Sequence, residues 1–223
     1  MSWRTIFGKN VKKADFVEAF LLKNEKQIPA IRSLDQLEFT VFDTETTGLS
    51  IKDDYILSFG AVKIRNQAIQ IETALELYPN SPNSGEKTAP IHGLIQRENQ
   101  LSIRQFAEQS LAYFGSSILV AHHIGFDAEM MQKACKPFGL ERLTNPMLDT
   151  MNLAIRLELG PHTDRSQVHP EDYGLDALCK RYQILAEDRH TASGDAFLTA
   201  QLLLKLLKLA AAKGIRNFGQ LIR

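Results

Sequence analysis

The 223-residue chain balances 26 Lys and Arg against 26 Asp and Glu, and its 44% hydrophobic and 23% charged residues exclude the disordered, collagen-like and low-complexity classes. Zero net charge also argues against a protein that grips nucleic acid mainly through a broad basic surface. No run approaches the ~20 consecutive apolar residues of a membrane span, the N-terminal MSWRTIFGKNVKK lacks a signal-peptide core, and Cys135 and Cys179 alone make no disulfide framework, so a cytoplasmic protein without a membrane partner is expected.

Residues 1–37 read as an N-terminal extension, holding seven Lys/Arg against four Asp/Glu, and residues 38–223 as the main domain. Within the extension, Phe16, Phe20 and Leu21 at helical spacing predict a short helix over 14–23, closed off before the breaker Pro29. Its apolar stripe is expected either to dock a protein partner or to cap the main domain. Strand patterns follow at 38–43, 54–66 and 68–78, the last two joined by a tight Asn66-Gln67 turn, which together predict an antiparallel meander. Turn formers crowd 78–90 and predict a loop.

Helix and strand then alternate. A helix is expected at 102–114, a buried strand at 117–122, a helix at 126–136, a short strand near 147–148, and helices at 150–158, 174–181 and 194–212. The last presents Phe197, Leu198, Leu202, Leu206 and Leu209 as its apolar face. Strands first and alternation afterwards predict an α/β fold in three layers, a mixed β-sheet flanked by helices.

Three places carry candidate chemistry. Asp43 and Glu45 end the first strand with one residue between them, so both carboxylates project to the same side, where their repulsion is costly unless a cation lies between them. Taken alone, such a pair is as well explained by solvated turn acids. Asp127 follows the buried strand and opens a helix, where it complements the helix dipole; it also lies where ligands gather in α/β sheets. Asp195 occupies the first turn of the last helix, which Thr191 or Ser193 would cap, and His190 sits just ahead in a loop, with a side chain that changes charge near neutrality as a general base must. Four carboxylates and one imidazole thus come from separated element ends. If they converge, hard oxygen ligands suit Mg²⁺ or Mn²⁺ better than zinc, and a pair of such ions is a known device for phosphodiester cleavage. The alternative set His162, Asp164, His169 and Glu171 matches no metal-ligand spacing, and a solvated polar loop accounts for it more simply.

FTVFDTETTGL at 39–49, LVAHHIGFDAEMM at 119–131 and HTASGDAFLTAQLL at 190–203 resemble, in order and spacing, the three motifs of the DnaQ-like, or DEDDh, 3′→5′ exonucleases. IHGL at 91–94, LDTMNLAIRL at 148–157 and YGLDALCKRYQI at 173–184 support the likeness from about residue 38 to 207. The resemblance implies a ribonuclease H-like fold and release of nucleoside 5′-monophosphates from nucleic acid 3′ ends, single-stranded or frayed DNA first, with RNA as the alternative substrate. It implies two divalent cations, Mg²⁺ or Mn²⁺, held by Asp43, Glu45, Asp127 and Asp195, with His190 as general base. It places Thr46, Thr47, Leu49 and His92 beside the terminal nucleotide. His123 stands where the family usually carries Asn, a change expected to alter how the substrate or the second motif's loop is held. A fold that had kept its shape and lost turnover would lack one of these acids or the histidine, and none is missing.

Overall fold

The computed structural model describes residues 12–82, 100–164, 166 and 168–223. His92 and most of the turn-rich stretch fall outside these residues. Helix α1 (Asp15–Lys23) precedes three antiparallel strands, β1 (Phe39–Thr46), β2 (Ile56–Arg65) and β3 (Ala68–Leu77). There follow α2 (Ile103–Phe114), β4 (Ile118–Ala121), α3 (Ile124–Cys135), β5 (Met147–Asp149), α4 (Thr150–Leu159), α5 (Leu175–Arg181), α6 (Ala192–Ala212) and α7 (Phe218–Leu221). The sheet runs β3-β2-β1-β4-β5, with β4 and β5 parallel to β1, and is the mixed sheet of a ribonuclease H-like fold. Among the described residues no helix is long and apolar enough to cross a membrane.

Local chemistry accounts for these boundaries. Asn66 and Gln67 both adopt positive φ, 51° and 57°, the twist that a two-residue hairpin between right-twisted strands requires. Ser102 and Gln105 form a reciprocal capping box at the start of α2. Asp149 accepts from the backbone N–H groups of Met151 and Asn152 to start α4, and Thr191, one of the two expected caps, accepts from Gly194 N–H to start α6.

Strand alternation sends side chains to two cores. Phe39 and Val41 of β1 join Val62, Ile64, Ile118 and Val120 under α4, α5 and α6, while Phe42 joins Phe59, Phe106 and Phe114 in an aromatic cluster on the α2 and α3 side, with ring centroids 5.0–6.0 Å apart. The odd positions of β1 therefore face α6, and continuing that register past Val41 delivers Asp43 and Glu45 to the same face. Phe197, expected within the apolar face of α6, is instead exposed, while Leu198, Leu202 and Leu206 are buried.

The extension is woven into this body. Val17 and Phe20 are buried in the aromatic-side core, and Phe16 packs on Phe138 at 5.5 Å. Asn24 donates to Gly115 O at 2.8 Å, and residues 30–34 exchange backbone hydrogen bonds with 216–219. The apolar stripe that could have met a protein partner is thus spent largely on the chain's own core.

One glycine governs how close α6 lies to the sheet. Gly60 of β2 pairs with Asp43 of β1, and a Cβ there would collide with the backbone of Ala192 and Ser193. Gly60→Ala should therefore push the first turn of α6 off the sheet and cost about 1–3 kcal/mol, as overpacking does, measured by chemical denaturation. Gly125→Ala, whose Cβ meets nothing within 4 Å, should be neutral or stabilising by up to about 1 kcal/mol, since Ala outranks Gly in a helix.

Candidate active site

The C-terminal end of β1, the first turn of α3 and the first turn of α6 meet at one edge of the sheet. Asp43, Glu45 and Asp195 each offer an oxygen there, and these atoms all lie within 4.8 Å of one another. Asp127 approaches from the other side of β1. Its Oδ1 accepts from Thr44 N–H at 3.0 Å and from Thr44 Oγ1 at 2.6 Å, which fixes the carboxylate to the strand that carries Asp43 and Glu45.

The electrostatics are those of crowded like charges. Burial and then the neighbouring Asp127, Asp195 and Glu45 hold the Asp43 carboxyl well above the usual aspartate range. Asp127 is pushed up to about 7, first by burial, against the opposing hydrogen bonds from Thr44. Among the described residues one cation reaches the cluster: Arg189 Nη1 makes an ion-pair contact with Asp195 Oδ1, while its Nε and Nη2 grip Asp176 at 2.5 and 3.2 Å.

The loop after β1 is braced rather than loose. Thr46 donates to Gly48 O at 2.7 Å, and Thr47 Oγ1 donates to Asp54 Oδ1 at 2.7 Å while accepting from Tyr55 N–H at 3.0 Å. Asp54 also takes Ser50 N–H at 2.8 Å, and Lys133 donates to the carbonyls of Lys52 and Asp54 while lying over the Tyr55 ring. Leu49, at 86% exposure, is held out at the tip of this loop. His190 is exposed and left-handed at φ 64°, directly after Arg189. His123 is also left-handed, at φ 65° and the N-cap of α3, a conformation that Asn and His tolerate better than most residues. His122 beside it is half-buried, its Nδ1 2.9 Å from Thr150 Oγ1, and burial first and His123 second lower its pKa to about 4.

A family profile described as "Exonuclease" matches residues 40–203, the span that contains every one of these residues. The chain belongs to the DnaQ-like 3′→5′ exonuclease family. Over 200 residues it is 36% identical to the DNA polymerase III PolC-type of Bacillus subtilis (strain 168), covering 86% of this chain and 13% of that protein. The counterpart from Thermotoga petrophila is 29% identical over 214 residues, 92% of this chain and 15% of that protein. The chain thus spans a small part of these polymerase relatives. Among solved structures, the E. coli ExoI–ssDNA complex in its zinc-bound form superposes with a TM-score of 0.62 at 18% identity, over 81% of this chain and 42% of that one. Cell-death related nuclease 4 superposes with a TM-score of 0.62 at 13% identity, over 78% of this chain and 65% of that one. At these identities the structures speak for the fold.

Membership of this exonuclease family implies divalent metal, and the residues present fit it. All four donors are carboxylates, the hard ligands that Mg²⁺ and Mn²⁺ prefer, and three of them, Asp43, Glu45 and Asp195, bring oxygens within 4.8 Å of one another. The alternative loop set does not assemble: His169 and Glu171 pair at 3.8 Å in solvent, and no metal-competent group among the described residues includes them or His162 and Asp164. Arg189 went unnoticed in the sequence because its partners lie 13 residues back and six ahead, a pairing that only the tertiary fold creates.

The shifted carboxyls set a pH dependence. Unfolded aspartates ionise near pH 4; in the fold Asp43 and Asp127 keep their protons to higher pH, Asp127 to about 7. Raised folded pKa values contribute stability that is full below about pH 4 and lost as pH rises through 7. Chelator-treated protein should accordingly melt lower at pH 8 than at pH 5. Asp43→Asn should flatten that dependence and raise the pH 8 melting temperature by about 2–5 °C. Asp195→Asn, which forfeits the Arg189 pair, should bring no such gain. A chelated Asp43→Asn protein that melts below wild type at pH 8 would contradict the assignment of repulsion to this cluster.

Proposed function

We propose that the chain is a divalent-cation-dependent exonuclease that removes nucleoside 5′-monophosphates from the 3′ ends of single-stranded or frayed DNA. The observation that carries this is the meeting of Asp43, Glu45 and Asp195, three oxygen donors within 4.8 Å, in a member of the exonuclease family. DNA is favoured over RNA by the kinship with DNA polymerase III PolC-type and by the fold shared with an exonuclease I crystallised with single-stranded DNA.

Two divalent cations, Mg²⁺ or Mn²⁺, supply Lewis-acid stabilisation of the phosphodiester and acidify a water when bound. Asp43, Glu45 and Asp195 would hold these ions, with Asp127 contributing through the oxygen that Thr44 does not bind. His190 accepts a proton from the attacking water as the new P–O bond forms and the bond to the 3′ oxygen breaks. That leaving oxygen takes a proton from solvent. The braced loop holds Thr46 and Thr47 along the last nucleotide and presents Leu49 to its base, because an apolar side chain this exposed is stabilised by packing against the apolar face of a base. His123, at the N-cap of α3, is read as a further contact to the substrate, and the likeness of the motif around His92 to the family gives that residue the same role. A neutral chain suits this local grip on a few nucleotides. Likeness to polymerase components makes the cell interior the working compartment.

End-labelled oligonucleotides test the reading. A 5′-labelled DNA strand with Mg²⁺ should yield a ladder shortening from the 3′ end, and Asp43→Ala should abolish it without unfolding the protein. Near wild-type activity in Asp43→Ala would refute the site, and faster digestion of a matched RNA would overturn the substrate. His190→Gln should bind Mn²⁺ normally and lose roughly 10²- to 10⁴-fold in rate, the usual worth of a positioned base. A variant with wild-type rate and pH profile would leave hydrolysis without His190 as its base.

A further inference from the structure

Arg189 joins two acids of different standing. Its guanidinium grips Asp176, in the first turn of α5, through Nε and Nη2, and reaches Asp195, in the first turn of α6, through Nη1. The Asp176 side chain is 68% exposed and the Asp195 side chain only 11%. Arg189 Nη1 and Asp195 Oδ1 are both buried and, among the described residues, meet no polar partner but each other, so each depends on the other's charge. Asp195 is meanwhile one of the three acids whose oxygens crowd within 4.8 Å, and the positive field of Arg189 extends to Asp43 as well. The loop from 188 to 190 is pressed onto the helix: a Cβ on Gly194 would collide with Asp188 O, and Thr191 ties that carbonyl at 2.9 Å. Arg189 is therefore held at the cluster by the backbone as well as by Asp176.

We propose that Arg189 is the built-in counter-ion of the unloaded site, a monovalent cation that neutralises Asp195 in competition with the divalent cations, with Asp176 as the anchor that draws part of its charge away. The proposal rests on the reading of Asp43, Glu45 and Asp195 as divalent-cation ligands. Its physical basis is that a fixed positive charge beside a metal ligand stabilises the metal-free cluster and repels the incoming ion, so the same side chain raises apo stability and the metal concentration needed for loading. Asp176 opposes that effect, because a guanidinium shared with a second carboxylate offers less positive charge to Asp195.

Arg189 and Asp176 therefore give opposite predictions. By calorimetric titration of Mn²⁺ into nucleic-acid-free protein, Arg189→Gln should bind roughly fivefold or more tightly than wild type, within the usual range of coupling between interacting sites. Its apo melting temperature should fall, and Mn²⁺ should raise it by a larger increment than in wild type. Asp176→Asn, an exposed change, should bind Mn²⁺ more weakly with an unchanged apo melting temperature. Weaker binding in Arg189→Gln overturns the proposal and makes Arg189 a packing residue. If Arg189→Gln does not fold, Asp176→Asn decides: wild-type affinity, or lower affinity together with a lower apo melting temperature, overturns it. Asp43→Asn separates this from the underlying reading, since Mn²⁺ binding equal in wild type and Asp43→Asn means that the carboxylates are not the ligands at all.

Discussion

Everything distinctive in this molecule depends on forcing carboxylates together that would otherwise separate. Asp43, Glu45 and Asp195 bring oxygens within 4.8 Å of one another at a half-buried edge of the sheet, with Asp127 alongside. That arrangement is unfavourable in itself, and the fold maintains it by backbone means. Strand register puts Asp43 and Glu45 on one face, the absence of a Cβ at Gly60 lets α6 settle against β2 at the residue paired with Asp43, and the Thr44 hydrogen bonds pin Asp127. The large hydrophobic cores on either side of β1 supply the free energy against which this local repulsion is set.

The remaining features of the site can be understood as responses to that concentration of negative charge. Arg189 supplies positive charge from within the chain, and membership of the exonuclease family implies that the rest comes from divalent metal. A site loaded from solution is a site that responds to metal concentration, and Arg189 sets where that response begins. The loop beyond β1 is organised differently: Asp54 and Lys133 are used to stiffen backbone, which leaves Leu49 at its tip uncommitted to the protein's own core.

Much of this was legible in the amino-acid order, and for definite reasons. The short, apolar, β-prone runs of β1 and β4 locate the sheet, and Asn66 marks the hairpin because Asn is among the few residue types that readily accept positive φ. The acids of the site are legible through their motifs, each tied to an element end. What escaped the sequence is whatever arises between distant elements. Gly60 reads as an ordinary strand glycine until α6 is laid over it, and Arg189 reads as a surface cation until α5 and α6 bring Asp176 and Asp195 to it. The extension's apolar stripe has the same pattern whether it meets a partner or its own domain; only the fold shows that Val17 and Phe20 are buried in the chain's own core. His123 is the reverse case, a departure from the usual Asn whose tolerance becomes intelligible once its φ of 65° is known.

The central claim is that these carboxylates hold a pair of divalent ions close together. Electron paramagnetic resonance of the protein loaded with two equivalents of Mn²⁺ and freed of unbound ion tests it directly, because two manganese ions held close together are magnetically coupled. Wild type should give the broadened, exchange-coupled spectrum of a dinuclear centre, and Asp43→Asn, without the central carboxylate, should lose it. An isolated six-line Mn²⁺ signal of equal intensity from both proteins would contradict the account.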